Sequence, residues 1–340
     1  MKEFTRRKLD TYMANIASLN GVSSVEQKFT VEPTVQQRLE DTMAESSALL
    51  SRINVVPVDE MKGEKIGLGV PGTIASNTDT STSDRQTQSP FALSAEGYEV
   101  FKNNFDTHIT YQQLDMWAKF PNFQKRVRNH ELKAQELDRC RIAWNGVSRA
   151  ANTNRTNFPL LEDVNTGFLH KYRTYAADRV LDTDGVNAGE VHVYEGADEF
   201  QNLDALIMDA VNNLIDPWYR EDDQLVVIIG RSLFADKYFP LVNKAQPNSE
   251  KMAADMIISQ KRIGNIPATQ MPFFPTNSIL VTSLDNLSLY YQSGARRRHI
   301  QDNPKRDRIE NYESSNDDYI VEDYGRGCLI ENIVTTAPAG

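Results

Sequence analysis

The chain has only two cysteines among its 340 residues, Cys140 and Cys328, and neither belongs to a CxxC pair. This count excludes the disulfide framework of a small secreted domain, so we expect two reduced thiols and a protein suited to a reducing cytoplasm. Long apolar runs are also missing, because no stretch approaches the roughly 18 residues that a membrane span requires. The first residues contain no apolar segment typical of a secretory signal. We therefore expect no membrane partner.

The sequence also lacks an excess of basic residues. Asp and Glu total 47 against 37 Lys and Arg, which gives a formal net charge of −10. A protein that grips nucleic acid usually has a basic face and a basic overall balance. Tight binding of DNA or RNA is therefore not expected as the main function. Arg296–His299 is the one basic run, which we interpret as a solvated or intersubunit patch.

Three short patterns resemble functional motifs, but each lacks what its chemistry needs. Gly67–Gly72 matches GxGxxG, yet a Ser/Thr-rich loop follows where a dinucleotide site needs a helix. His130-Glu131 opens an HExxH pattern that has no second histidine for zinc. Ser232 follows an apolar strand, but Phe234 replaces the second glycine of GxSxG, so we interpret Ser232 as a helix cap. We expect no catalytic, cofactor-binding or metal site.

Apolar spacing predicts two helices near the start of the chain. The first includes Leu9 and Leu19 on one face and ends at Asn20-Gly21. The second follows Pro33, with an apolar stripe that continues to Ile53. Residues 1–29 contain five basic and three acidic residues, a charge of +2, which leaves −12 for the rest. This segment is either a helix packed on its own domain or a detachable arm that docks on a partner.

Residues 54–117 predict a long β-arm with a loose tip. Apolar residues alternate or cluster at Val55–Val58, Ile66–Val70 and Phe105–Tyr111, as is typical of strands. Between them, Thr73–Ser94 is rich in Ser, Thr, Asn, Asp and Gln and has too few apolar side chains to order itself. A monomeric enzyme gains little from such an arm, whereas an assembling subunit can lay it across a neighbour.

The longest predicted helix begins after Asn122 and ends near Gly146. Its apolar stripe is sparse, which predicts a surface helix with one side on its own sheet. A mixed α/β region follows. Its predicted elements are a hairpin around Asp184-Gly185, a helix at Leu203–Ile215, a buried strand at Leu225–Ile229, a helix at Met252–Gln260, and strands at 278–282, 287–291 and within 306–333.

Several longer stretches are specific enough to indicate a family. They are Lys28–Pro33, Met43–Ser47, Arg52–Val58, Glu60–Gly67, Asn145–Val147, Asn212–Tyr219, Asp236–Pro240, Ile257–Asn265 and Glu310–Ser314. With them the chain resembles the major capsid proteins of Peduovirus-type (P-two-like) tailed bacteriophages over almost its whole length. It departs from that family mainly at residues 73–94, at Asp182–Gly189 and at the extreme C-terminus.

The resemblance implies an α+β, HK97-type capsid fold and a structural function without enzyme activity or cofactor. Its expected parts are an N-terminal arm at 1–29, an N-terminal helix region at 30–53, an extended β-hairpin arm (E-loop) at 54–117, a peripheral domain with a spine helix at 118–200, an axial domain at 201–300, and a return to the peripheral domain at 301–340.

The resemblance also implies a sequence of assembly steps. Subunits would associate as hexamers and pentamers, with an internal scaffolding protein, into a procapsid in the host cytoplasm. A phage protease would then trim the N-terminal segment, and the shell would expand around double-stranded DNA without sequence-specific binding. A portal would occupy one vertex of this head shell of the virion. Carried onto this chain, the trimming falls near Lys28, Phe29 and Thr30.

Two other functions stay open at this point. An encapsulin-like nanocompartment shell shares the fold class, and it would assemble unaided around an enzyme cargo while keeping its N-terminal arm. A cytoplasmic α/β hydrolase-type enzyme would use the turn from Leu225–Ile229 to Ser232. Such an enzyme would be a compact monomer or dimer that turns over an ester or a nucleotide.

Overall fold

The computed structural model describes residues 1–65, 74–87, 97–197, 199–243 and 261–336. The helices are α1 Glu3–Leu19, α2 Pro33–Ser46, α3 Tyr111–Trp117, α4 Phe123–Asn145, α5 Phe168–Tyr175, α6 Leu203–Leu214 and α7 Arg231–Asn243. The strands are β1 Phe29–Thr30, β2 Asn54–Val58, β3 Lys62–Glu64, β4 Gly97–Glu99, β5 Phe101–Asn104, β6 Thr107–Thr110, β7 Val180–Leu181, β8 Val191–His192, β9 Leu225–Ile229, β10 Arg262–Ile263, β11 Ile266–Thr269, β12 Ile279–Ser283, β13 Leu287–Gln292, β14 Arg297–Asn303, β15 Arg308–Val321, β16 Gly327–Ile330 and β17 Ile333–Val334.

The larger sheet is built on β15, a strand of 14 residues. On one side its first half pairs with β14 and its last residues pair with β13, both antiparallel. On the other side it pairs with β6 and then with β5. Strand β1 extends the sheet beyond β14, and β2 extends it beyond β13. Helices α2 and α4 pack beside this sheet and share its core, which includes Met43 and Leu289.

The smaller sheet has the order β10-β11-β9-β12-β16-β7. Strand β9 consists only of Leu, Val and Ile and lies between β11 and β12, so the sheet covers both of its edges. Helix α6 packs Leu206, Ile207 and Ala210 against this sheet, and all three are fully buried. Burial on both faces explains why β9 is continuously apolar and not alternating.

Several predicted elements are confirmed with nearly the predicted boundaries. Helix α1 ends at Leu19, where Asn20 is the C-cap and Gly21 has a φ of +64°, a conformation that glycine adopts without strain. Helix α4 begins after Asn122 and ends before Gly146. Helix α6 and strands β9, β12, β13 and β15 also lie where the sequence indicates. No helix of the described residues is long and apolar enough to span a membrane.

The second helix is shorter than predicted, because α2 ends at Ser46 and not near Ile53. The hydroxyl of Ser47 accepts hydrogen bonds from the backbone N–H groups of Leu49 and Leu50. These bonds hold a turn that buries both leucines. The apolar residues after Ser46 therefore continue the core but not the helix.

The hairpin prediction around Asp184-Gly185 is wrong. A turn is present, and Gly185 has a φ of +80°. However, β7 pairs in parallel with β16, and β8 pairs in parallel with β17, so the two flanking strands do not pair with each other. Each of them instead pairs with a strand near the C-terminus of the chain. The predicted strand at Ile66–Val70 and the predicted helix at Met252–Gln260 lie outside the described residues.

The base of the predicted arm is a short antiparallel pair, β3 with β4, and β2 continues from it into the larger sheet beside β13. Lys65 follows β3, and its ammonium donates a hydrogen bond of 2.6 Å to the carbonyl oxygen of Val321. This contact attaches the base of the arm to the body of the subunit. Residues 74–87 are almost entirely exposed, and Ile74 keeps 62% of its surface accessible.

Candidate functional site

The N-terminal segment, residues 1–29, lies against α3, the start of α4 and the larger sheet. Its helix buries Leu9, Tyr12 and Ile16. The apolar surface beneath them, which we call the seat, consists of Leu114, Phe123, Val127, Ile300 and Ile309. Removing the segment would expose these side chains. The segment therefore packs on this subunit, which agrees with the interpretation of residues 1–29 as a helix packed on its own domain.

Polar contacts hold the first half of α1 to α3. The Thr5 hydroxyl and the backbone N–H of Lys2 both donate hydrogen bonds to the carboxylate of Asp115. The Lys8 ammonium donates to the carbonyl oxygens of Ala118 and Phe120, where α3 ends. Because a helix C-terminus carries unpaired carbonyl groups, Lys8 serves as a cationic cap for α3.

The predicted processing residues lie where the N-terminal segment joins the edge of the larger sheet. Phe29 and Thr30 form β1, which pairs with Arg298 and Arg297 of β14. The side chain of Phe29 is buried with the seat, while Lys28 and Thr30 are exposed. Residues 22–28 before them form neither helix nor strand. The backbone at this junction is therefore accessible on one side and anchored on the other.

A buried charge network lies between α2, α4, β14 and β15. It consists of Glu40, Arg139, Arg296, Glu313 and Asp317, each at least 96% buried. Arg296 donates to Glu313 at 2.6 Å and to Glu40 at 2.7 Å. Arg139 donates to Asp317 at 3.1 Å and also to Glu40. Glu40 of α2 thus bridges the two arginines, which come from different elements of the fold.

The ionisation of this network follows from its pairing. Burial disfavours the charged forms of Glu40 and Glu313, but the neighbouring guanidinium groups outweigh burial and lower both pKa values, that of Glu313 to about 2. Burial dominates for Asp317 and raises its pKa, although Arg139 partly opposes it. Buried charges persist only when they are paired and hydrogen-bonded. These five residues therefore constrain how α2, α4 and the sheet can be arranged.

A second buried ion pair lies directly under α1. Arg298 donates to Glu131 of α4 at 2.9 Å and to the side-chain oxygen of Asn311 at 2.8 Å. Burial raises the pKa of Glu131 to about 6, and the charge of Glu313 adds to this effect. Tyr12 of α1 covers the pair, and burial raises the pKa of its hydroxyl to about 12. The N-terminal segment thus shields a charge pair as well as an apolar surface.

The raised pKa of Glu131 predicts a dependence of stability on pH. A carboxyl whose pKa is higher in the folded state favours folding when neutral, and that contribution is lost as pH rises from about 4.3 to about 6. We expect the free energy of unfolding of the wild type to fall by on the order of 2 kcal/mol relative to Glu131→Gln across this window. Urea unfolding midpoints of both proteins at pH 4.5 and 6.5 measure the difference. If the midpoints of the two proteins differed by the same amount at both pH values, the raised pKa of Glu131 would be contradicted.

One sequence interpretation of this region is wrong. Arg296 and Arg298 are buried and paired, so Arg296–His299 is not a solvated or intersubunit patch, and within the triplet only Arg297 is exposed. The inner side of α4 carries Glu131, Gln135 and Arg139 at four-residue spacing in addition to its apolar residues. The four-residue spacing places these polar residues on one face of α4, but it is equally typical of a solvated face.

Of the motifs set aside from the sequence, Gly67–Gly72 lies outside the described residues. Ser232 is not a helix cap, because α7 begins at Arg231 and the Ser232 hydroxyl donates to the carbonyl oxygen of Thr276. Cys140 and Cys328 are free and buried, and burial raises their pKa values to about 11 and 12, so both are protonated thiols near neutral pH. Among the described residues, no group of three or more His, Cys, Asp or Glu side chains could hold a metal ion.

Comparison with known proteins identifies relatives over almost the whole chain. The family described as phage major capsid protein, P2 family, matches residues 8–333. The capsid protein of Escherichia phage P2 is 53% identical over 341 residues, covering 98% of this chain and 95% of that protein. The major capsid protein of Serratia phage KSP20 is 39% identical over 346 residues and 99% of each chain. A chain of the solved satellite phage P4 procapsid, which includes a size determination (Sid) protein, is 50% identical, with a TM-score of 0.82 and 99% coverage of both chains.

Proposed function

The chain belongs to the P2 family of phage major capsid proteins, and from this premise we propose how its parts serve the assembly of a head. It is a structural protein of a phage shell with the HK97-type α+β fold, and it is not an enzyme. Its subunits associate with one another in a multi-subunit shell. The family match favours this function over the nanocompartment and hydrolase alternatives.

The proposal extends to the partners of the shell. Subunits form hexamers and pentamers with an internal scaffolding protein, in the host cytoplasm, and a portal takes one vertex. A maturation protease trims the shell protein. The shell then expands and encloses double-stranded DNA without sequence-specific binding. The net charge of −10 supports the last point, because an acidic wall repels phosphate groups and leaves the packaged DNA free.

We also propose how the elements of the fold are divided among the parts of the subunit. Within residues 201–300, β9–β12 supply four of the six strands of the smaller sheet and α6 and α7 cover it, and we assign these elements to the axial domain. The spine helix α4 in residues 118–200 and the strand β15 in residues 301–340 belong to the peripheral domain. Within residues 54–117 the pair β3–β4 belongs to the E-loop. Residues 30–53 belong to the N-terminal helix region, and residues 1–29 belong to the removable arm.

One observation carries the proposed trimming near Lys28, Phe29 and Thr30. The N-terminal segment meets the body at residues 22–28, which have no regular secondary structure, and Lys28 and Thr30 are exposed. Exposed irregular chain is the preferred substrate of proteases. Cleavage there would detach a segment of charge +2 and leave a chain of charge −12, which strengthens the repulsion of DNA.

Mass spectrometry of assembled particles tests this trimming. We expect subunits of mature, DNA-filled heads to begin within two residues of Lys28–Thr30, because the cleavable junction lies there. Procapsids from a host that lacks the phage protease serve as the control and should contain subunits that begin at Met1. Mature heads whose subunits still begin at Met1, or begin inside α1, would contradict the proposal.

A further inference from the structure

A groove of about 740 Å³ lies between α1, α2 and the beginning of α4. Its floor is apolar and comprises Ile16 and Leu19 of α1 together with Val35 and Leu39 of α2. Leu19 keeps 61% of its surface accessible, although it lies beside other apolar side chains. A contiguous apolar floor in a concave surface is typical of a binding groove.

The groove is also positively charged. Its lining contains Lys8, Lys125, Arg128 and Arg298 and not a single Asp or Glu, in a chain whose net charge is −10. Lys8 is engaged by backbone carbonyl groups, and Arg298 is paired with Glu131. Lys125 and Arg128 are exposed, and neither makes a salt bridge to any residue that the structure describes. These two charges remain available at the rim.

We propose that this groove binds an acidic amphipathic helix from another protein of the assembling head. Such a helix would place its apolar stripe over Leu19, Val35 and Leu39 and its carboxylates beside Lys125 and Arg128. Nucleic acid fits less well, because its exposed phosphates would meet the two cations but would leave the apolar floor uncovered. The combination of floor and rim therefore selects a helix with both features.

The groove has one wall that the proposed maturation would remove. Ile16 and Leu19 belong to residues 1–29, whereas Val35, Leu39, Lys125 and Arg128 belong to the body. This part of the inference rests on the proposed trimming. Cleavage near Lys28–Thr30 would separate the two walls, so the bound helix would lose half of its site. Trimming would then release the partner that the intact arm had held.

Fluorescence anisotropy with a labelled synthetic helix of Leu, Ala and Glu tests the groove on the full chain. We expect the pair Lys125→Glu with Arg128→Glu to weaken binding by about tenfold, since each exposed charge pair contributes modestly and is reversed here. The same protein should bind a matched helix of Leu, Ala and Lys more tightly than the wild type does. This restored binding would show that the variant is folded.

The matched control is Arg126→Glu with Arg38→Glu, which makes the same charge change on helices beside the groove but outside its lining. We expect it to bind the acidic helix as the wild type does. Leu19→Glu should weaken binding of the acidic helix about tenfold, because it places a like charge on the floor. Equal losses in both charge variants, or no loss in either, would overturn the proposal.

A competition experiment decides against nucleic acid. A short DNA duplex should not displace the acidic helix at moderate salt, and displacement would overturn the proposal in favour of a phosphate-binding site. The subunit masses of mature heads are independent of these measurements. If the groove did not bind the helix, the proposed trimming would be unaffected. If mature subunits were not trimmed, the proposed binding of a helix in the groove would be unaffected.

Discussion

Replacing Arg296 by methionine is expected to lower the free energy of unfolding of the subunit by about 3–5 kcal/mol. The guanidinium of Arg296 is fully buried and contacts Glu40 and Glu313, as well as the side-chain oxygen of Gln135 at 2.6 Å. Methionine fills much of the volume but leaves two carboxylates without this partner in the core. Removing one member of a buried ion pair is costly, because the remaining charge stays desolvated.

Arg297→Met is the matched control for this prediction. Arg297 is the next residue, begins β14 and is exposed, so the same chemical change should alter stability by less than about 0.5 kcal/mol. Urea unfolding of unassembled subunits, followed by circular dichroism, gives both values. If the two variants unfolded at the same urea concentration, the buried charge network would not stabilise this arrangement of α2, α4 and β15.

Trp144→Ala is expected to destabilise the subunit by about 3–5 kcal/mol. Trp144 lies at the end of α4 and is 1% exposed. Its ring contacts Phe168 of α5 and Phe274, with centroid distances of 5.5 and 5.1 Å. Alanine would leave a cavity between the spine helix and the neighbouring elements, and the loss combines the transfer of the indole with that cavity.

Trp218→Ala is the matched control, because it removes the same atoms from a side chain that is 50% exposed at the surface. We expect its urea midpoint to stay close to that of the wild type. Thermal unfolding of unassembled subunits provides a second comparison. A loss in Trp218→Ala as large as that in Trp144→Ala would mean that Trp144 does not anchor α4 to α5 through packing.

Local signals were sufficient to predict several elements correctly. The Asn20-Gly21 stop, the Asn122 start and the Gly146 end of the spine helix depend on conformations that a few neighbouring residues decide. The apolar run Leu225–Ile229 likewise indicates a central strand wherever it lies in the sequence. The resemblance to Peduovirus-type capsid proteins rested on several short matching stretches spread over the chain, and the family match confirms it.

Local signals failed where the partner is distant in the sequence. Val180–Leu181 and Val191–His192 flank a turn, and only the three-dimensional fold shows that each pairs with a C-terminal strand instead. The polar positions of α4 are typical of a solvated face until Glu40, Arg296 and Asp317 are brought to them.

The sequence by itself determined the family, the spine helix, the central strand of the smaller sheet and the unusual charge of residues 1–29. Only the tertiary structure decided that Arg296 and Arg298 are buried, that α1 covers the Glu131–Arg298 pair, and that α1, α2 and α4 enclose a cationic groove. The physical reason is that helix and strand periodicity depends on neighbouring residues. The burial and pairing of a charge depend instead on atoms that folding brings together from distant parts of the chain.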